Sequence, residues 1–227
     1  MEITVIKIGG SLAAYPNELR LLMKRLGDFS KNKPIVIIPG GGEFADKVRD
    51  LDKRFSLKKT VSHRMAILAM DQFGLLLSDL TVNTIFSYNL EHAKESSLLG
   101  KLSIFLPSQI MFIEDPLENS WKVTSDSIAL YIAYTLKAEK VVFVTDVDGI
   151  YPSDPKCRKE VSLIEKISPS DLIDLGARTS VDRLLPELLQ KWPIDCIVVN
   201  GLHPERIEDI LKGRKTVSTI INNRASS

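Results

Sequence analysis

The sequence predicts an α/β fold: a three-layer αβα sandwich with a mostly parallel central sheet. Three observations lead there. Short apolar runs alternate with amphipathic segments along the chain, the order that builds right-handed βαβ units. The run Pro34–Ile38, PIVII, is apolar without alternation, as in a parallel strand buried on both faces. Glycine-rich turns directly follow two of the runs, KIGGS and PGGGEFAD, at the strand ends where open α/β sheets bind ligands.

Element by element, Ile3–Ile8 reads as the first strand. Asn17–Phe29 reads as a helix, because Leu19, Leu22, Met23 and Leu26 recur at helical spacing. Pro34–Ile38 is the second strand, and Glu43–Leu51 opens another helix. Ser62–Ser78 is a long helix rich in Met, Ala and Leu, apolar on more than one face. A dimer interface would look like that, and so would a deeply buried helix; Met65, Met70 and Phe73 read as packing rather than as a substrate wall. Thr81–Tyr88 continues this helix or forms a shorter one. Ile104–Leu106 and Ile110–Ile113 are expected as short strands. Ser125–Leu136 is helical, Lys140–Val144 and Ile194–Val199 are strands, Pro204–Leu211 is a helix and Val217–Ile221 a closing strand. The strongest break in the pattern is Pro107–Ser120. It divides a single domain, 1–227, into lobes 1–120 and 121–227.

Composition excludes several function classes. The net charge is +1, so neither a nucleic acid nor a membrane surface is an expected partner, and any anion site is local. No apolar stretch reaches membrane-spanning length. Cys157 and Cys196 make no disulfide framework or zinc spacing, and His63, His92 and His203 form no ligand pair. With no signal-peptide pattern, the expected location is cytoplasmic.

Lys7 lies inside the first strand, where an unpaired lysine is costly, and Gly9-Gly10-Ser11 follows it. Gly40, Gly41 and Gly42 follow the second strand. Each turn offers backbone N–H groups with no Cβ in the way, the arrangement that cradles phosphate oxygens. One such turn could be a tight corner; two at neighbouring strand ends, one beside a lysine, point to a bound phosphate. A third turn, VVFVTDVDGIYPSDP, carries Asp146, Asp148 and Asp154 at alternating positions. It lacks the closing glutamate and entering helix of a calcium loop. The P-loop, the dinucleotide fingerprint and the protein-kinase signatures are all missing.

Taken together, KIGGS, PGGGEFAD, TSDSIA at 124–129, TDVDGIYPSDP at 145–155 and STII at 218–221 resemble the amino acid kinase family, in that order and over nearly the whole chain. WKVTSDSIAL and HRMAILAMDQFG are most similar to its archaeal and methylotroph branch, which phosphorylates an (aminomethyl)furanmethanol phosphate during methanofuran biosynthesis. The resemblance implies the amino acid kinase (carbamate kinase-like) fold, with an acceptor-binding N-lobe and an ATP-binding C-lobe. It implies ATP as phosphoryl donor, with Mg²⁺ carried by the nucleotide rather than by a protein metal site, and a homodimer or higher homo-oligomer. By position, Lys7 would contact the transferring phosphoryl group and Asp126 would orient it. Gly9, Gly10 and Ser11 would hold nucleotide phosphates, and Gly40, Gly41 and Gly42 the acceptor and transferred group. Thr145, Asp146, Asp148, Gly149, Tyr151 and Asp154 would form the nucleotide loop.

Two departures qualify this. Many relatives carry a second lysine where this chain reads GARTSVDR; either Arg178 or Arg183 supplies that charge, or Mg²⁺ carries more of it. Relatives acting on isoprenoid phosphates have a histidine in the second glycine turn, whereas here Pro39 and Glu43 flank the glycines. An acceptor that is already a phosphate needs no general base, which the scattered histidines fit. It needs a cation; Arg64 is the candidate, with a solvated helix face as the equal alternative. Asp71 could meet the acceptor's aminomethyl group or be a helix-surface carboxylate, and Asp126 could be a helix cap. A UMP or carboxylate kinase, or a non-catalytic nucleotide-binding subunit, stands as the alternative function.

Overall fold

The computed structural model describes residues 2–153, 161–176 and 180–222. Its strands are β1 (Thr4–Ile8), β2 (Ile35–Pro39), β3 (Thr84–Ser87), β4 (Leu102–Phe105), β5 (Lys140–Thr145), β6 (Lys166–Ile167), β7 (Asp195–Asn200) and β8 (Thr219–Ile221). They form one sheet in the order β3-β4-β2-β1-β5-β7-β8-β6. Every pairing is parallel except β7 with β8. β2 lies on one side of β1 and β5 on the other, so the chain order reverses at β1, and a crevice opens beyond the carboxyl ends there.

The helices are α1 (Pro16–Phe29), α2 (Gly42–Phe55), α3 (Lys59–Ser78), α4 (Leu90–Leu98), α5 (Ser108–Glu114), α6 (Ser125–Leu136), α7 (Pro169–Leu175), α8 (Leu185–Lys191) and α9 (Pro204–Leu211), with a 3₁₀ turn at Gly10–Ala14. Alternation along β1 sends Ile6 and Ile8 into the core shared with α1 and α9, and Val5 into the core shared with α6 and α8. Lys7 therefore points to the α6 side. Each fully buried Ile, Leu or Val in these layers contributes about 1.5–3 kcal/mol. α3 joins both cores, Ile67 and Met70 on the α6 side, Phe73 and Leu77 on the α1 side. Among the described residues no helix is long and apolar enough to cross a membrane.

Several elements differ from the sequence reading. Thr81–Tyr88 is not helical: Thr84–Ser87 is a parallel edge strand paired with β4. Its β-branched and aromatic residues favour that state, and the side chain of Asn83 fixes its entry through the carbonyls of Gly27 and Gly100. Ile110–Ile113 lies in helix α5 rather than a strand; the Ser108 N–H at its start donates to the Asp71 carboxylate at 3.3 Å, a long-range contact no local pattern reveals. Four further elements are absent from the sequence reading: α4, α7, α8 and the two-residue β6.

The two glycine turns touch each other. A Cβ on Gly10 would lie 2.1 Å from the backbone nitrogen of Gly42, and one on Gly40 would lie 2.6 Å from that of Gly10. Gly42 itself has φ +54°, a conformation glycine adopts without strain. The Gly9 N–H donates to the Val144 carbonyl at 2.7 Å and the Gly40 N–H to the Ile8 carbonyl at 2.8 Å, so the ends of β5, β1 and β2 are stitched together. Gly10→Ala is expected to destabilise the protein by at least about 2 kcal/mol in urea unfolding, since only backbone could yield. An unchanged midpoint would mean that the turns do not meet.

Candidate active site

The site is built upward from one buried ion pair. The Lys7 ammonium meets Oδ1 of Asp126 at 2.8 Å, with side chains 11% and 7% exposed. Asp126 lies in the first turn of α6, and the residue capping that helix is Thr124, whose hydroxyl accepts from the Asp126 N–H at 3.3 Å. The aspartate is thus not the cap, and its carboxylate is free to turn towards β1. Its Oδ2 accepts from the Asp182 N–H at 3.0 Å.

Asp182, which sequence reasoning missed, is the hub of the network behind this pair. Its carboxylate accepts from the backbone and hydroxyl of Thr124, from the backbone and hydroxyl of Ser127 and from the N–H groups of Leu184 and Leu185. It thereby ties the start of α8 to the start of α6. Burial pushes its pKa up, and the Asp126 charge beside it adds to that, against the bonds from Ser127 and Thr124. One signal could have found it: an aspartate just ahead of the apolar run LLPELL is a helix-start pattern.

Both glycine turns open onto one cavity of about 560 Å³, whose wall includes Gly10, Ser11, Gly41, Gly42, Thr124 and Ser125. Lys7 stands one contact behind that wall, held by Asp126 next to Ser125. The Ser11 hydroxyl donates to Asp146 Oδ1 at 3.0 Å, and the Thr145 hydroxyl to the same oxygen at 3.3 Å. Asp146 also lines the cavity. The carboxyl end of β5 is therefore coupled to the first glycine turn.

The rest of the third turn is anchored away from the cavity. Asp148 Oδ1 accepts from Asn200 at 2.9 Å and from Arg206 at 2.6 Å. Burial acts to raise its pKa, but those two bonds overcome it and hold the carboxyl below the usual range. A Cβ on Gly149 would lie 2.4 Å from the Thr219 hydroxyl oxygen, which accepts from the Ile150 N–H and donates to the Ile164 carbonyl. Thr219 belongs to the closing STII segment, so that motif braces this loop. Tyr151 is half-buried, its hydroxyl pKa raised by burial and then by Asp148.

The acceptor-side candidates fare differently. Arg64 is exposed on α3, its guanidinium 5.1 Å from the Phe112 ring centroid, and it does not line the cavity. Asp71 is buried rather than on a helix surface; burial raises its pKa against the hydrogen bonds from Ser108, and it caps α5 instead of facing the cavity. Arg183 is exposed. Arg178 and Asp154 lie outside the described residues. Met70, read as packing, is core and also cavity wall. The cavity contains groups that the sequence reading did not assign to it: Asp46 and Arg49 from α2, His63 from α3, and Trp121. Arg49 pairs with Asp46 at 2.7 Å and stacks 4.9 Å from the centroid of Trp121. Spacing along α2 puts Asp46 and Arg49 on one face, but nothing local says that the face looks into a cavity.

A fixed cation beside two bare-backbone turns can neutralise and position phosphate groups with little further chemistry. The arrangement depends on Asp182. Asp182→Asn would set an amide N–H₂ against backbone N–H groups, of Thr124 and Ser127 or of Leu184 and Leu185, that can only donate, and the expected loss is about 3 kcal/mol or more by denaturant unfolding. A change within ~0.5 kcal/mol, the range of an ordinary surface substitution, would contradict this network.

Comparison with known proteins agrees with this geometry. Residues 2–200 match the amino acid kinase family. The [5-(aminomethyl)furan-3-yl]methyl phosphate kinase of Methanocaldococcus jannaschii is 41% identical over 223 residues, 96% of either chain. Uridylate kinase of Methanosarcina mazei is 23% identical, covering 92% of this chain and 91% of its own. Among solved structures, uridylate kinase from Archaeoglobus fulgidus superposes with a TM-score of 0.77 at 21% identity, over 97% of this chain and 100% of that one, a likeness that concerns the fold. The three-layer sheet, the paired glycine turns and the full-length match agree: this chain belongs to the amino acid kinase family.

Proposed function

We propose that this chain is a MgATP-dependent kinase that transfers the γ-phosphoryl group to [5-(aminomethyl)furan-3-yl]methyl phosphate, giving the diphosphate, in the cytoplasm. The observation that carries the reading is the single cavity onto which both glycine turns and the first turn of α6, holding the Lys7 ammonium, all open. The acceptor is suggested by the relative that shares 41% of its residues along 96% of either chain. Uridylate is the second reading, supported by relatives that share 22–26%.

The residues fit a nucleoside triphosphate. Gly9, Gly10 and Ser11 would receive its phosphates, because no Cβ can stand at Gly10, and Gly40, Gly41 and Gly42 would face the acceptor phosphate. Thr145, Asp146, Asp148, Gly149 and Tyr151 would bound the nucleotide, with 1–120 as the acceptor lobe and 121–227 as the nucleotide lobe. Mg²⁺ arriving with ATP would neutralise phosphate charge. The chain's own share is electrostatic: Asp126 holds Lys7 so that its charge needs no reorganisation when charge shifts between phosphates. A unit charge pair at close range is worth about 4 kcal/mol near an effective dielectric of 20. If ~3 kcal/mol of that acts only in the transition state, it amounts to about two orders of magnitude in rate.

The chain would work as a homodimer. Val61, Leu68 and Leu75 are exposed at seven-residue spacing along α3, with Leu76 beside them, a stripe that one copy could cover for another. Leu68→Glu with Leu75→Glu is expected to shift the light-scattering mass from dimer to monomer, and a wild type already monomeric would refute the dimer. For the chemistry, ATP consumption is to be compared with the furan phosphate, uridylate, isopentenyl phosphate and N-acetylglutamate. Preference for uridylate or N-acetylglutamate would overturn the acceptor. Lys7→Ala should lower kcat about 100-fold while ATP binding, followed by calorimetry, stays within a few-fold; an ATP-binding wild type that turns over no acceptor would refute the kinase.

A further inference from the structure

Arg49 is the one lysine or arginine among the described residues that line the cavity. The same wall carries three carboxylates, those of Glu43, Asp46 and Asp146. A phosphate ester entering the cavity is repelled by these and attracted by Arg49. The cation expected at Arg64 is not in the cavity, because that guanidinium lies against Phe112. A phosphate acceptor therefore has Arg49 as its partner on the wall, with Lys7 behind it.

The position of Arg49 follows from the helix that carries it. Gly42, Asp46 and Arg49 stand at i, i+4 and i+7 on α2, a single stripe that starts at the second glycine turn. Helical side chains lean towards the N-terminus, and Arg49 Nη1 accordingly donates to Asp46 Oδ1 at 2.7 Å, back towards the glycines. On the flat side of the guanidinium lies the Trp121 ring, its centroid 4.9 Å from Cζ. That ring is fixed in turn, since its Nε1 donates to Asp52 Oδ2 at 2.7 Å. Among the described residues no hydrogen bond holds Nη2 or Nε of Arg49. A planar guanidinium backed by a ring and bonded through one nitrogen keeps donors for two phosphate oxygens at once. The side chain is 45% exposed and lines the cavity, so a ligand there can reach it. Its ion pair is no obstacle: Asp46 is 69% exposed, and an exposed pair stabilises so little that a phosphate can displace the carboxylate.

We propose that Arg49, laid flat on Trp121, binds the phosphate that the acceptor already carries and holds it towards the second glycine turn. Trp121 is a positioning residue, touching the guanidinium and not the phosphate. The proposal rests on the phosphomonoester kinase reading above and deepens it, by naming the group that recognises the acceptor's own phosphate. That phosphate is bound alike before and during transfer, so the contact acts on KM rather than on kcat.

The test is steady-state kinetics with the furan phosphate and with uridylate. Arg49→Ala should raise the KM of the acceptor at least about 10-fold, as loss of a charged hydrogen bond would. The values of kcat and of the KM for ATP should stay within about 3-fold. Arg49→Lys keeps the charge without the paired donors and should recover part of the loss. An unchanged acceptor KM, or a KM for ATP raised as much, overturns the proposal and leaves the kinase reading intact. If the wild type turns over uridylate and not the furan phosphate, the furan reading falls and Arg49 is judged on the KM of uridylate. Turnover of N-acetylglutamate alone, or of no acceptor, overturns both. A second measure uses Trp192→Phe, which leaves Trp121 as the one tryptophan of the chain. Its emission should change on adding the acceptor that is turned over and not on adding the same molecule without its phosphate. The same response to both, or to neither, refutes the contact.

Discussion

The ion pair between Lys7 and Asp126 is the constraint on which the rest of the site depends. A lysine in the middle strand of a parallel sheet, only 11% exposed, is tolerable because a carboxylate 2.8 Å away compensates its lost hydration. That carboxylate is in turn held by the Asp182 N–H, and Asp182 gathers donors from Thr124, Ser127, Leu184 and Leu185. Strand, helix and loop are locked in one chain of contacts, so the ammonium is held in a fixed position one contact behind the cavity wall. A lysine left to snorkel to solvent would have no such fixed position.

The second constraint is steric. The glycine turns after β1 and β2 approach so closely that side chains are excluded from both. Gly10, Gly41 and Gly42 thus bring bare backbone to the cavity wall from two adjacent strand ends, while the N–H groups of Gly9 and Gly40 are bonded to Val144 and Ile8. At net charge +1 the chain as a whole carries no strong positive field; one lysine and two bare-backbone turns lie beside a single cavity. The Ser11 hydroxyl, donating to Asp146, links the first turn to the end of β5, and the reversal of strand order at β1 is what leaves space there.

Where the sequence was legible, the signal was short in range. The apolar runs at β1, β2, β5 and β7, the helical spacing of α1 and the glycine turns each lie within a dozen residues, and from them the layer architecture and the lysine's need for a partner can be read. Arg64 and Asp71 show the limit. Both lie on the long helix α3, Arg64 immediately after His63 and Asp71 about two turns beyond it, and helical rotation alone decides which side chain meets the cavity. Arg64 turned to Phe112 and Asp71 to the start of α5, while His63, read as one of three scattered histidines, became the wall.

By itself, the sequence determined the α/β class, the strand-end glycines and the kinase family, because these depend on local periodicity and on motifs in a set order. Only the tertiary structure decided that Thr84–Ser87 pairs as an edge strand, that Asp182 organises the start of α6, and that Asp46, Arg49, His63 and Trp121 share one cavity. Each of these is a contact between segments far apart in the chain. Its energy comes from burial and from partners that no window of neighbouring residues contains.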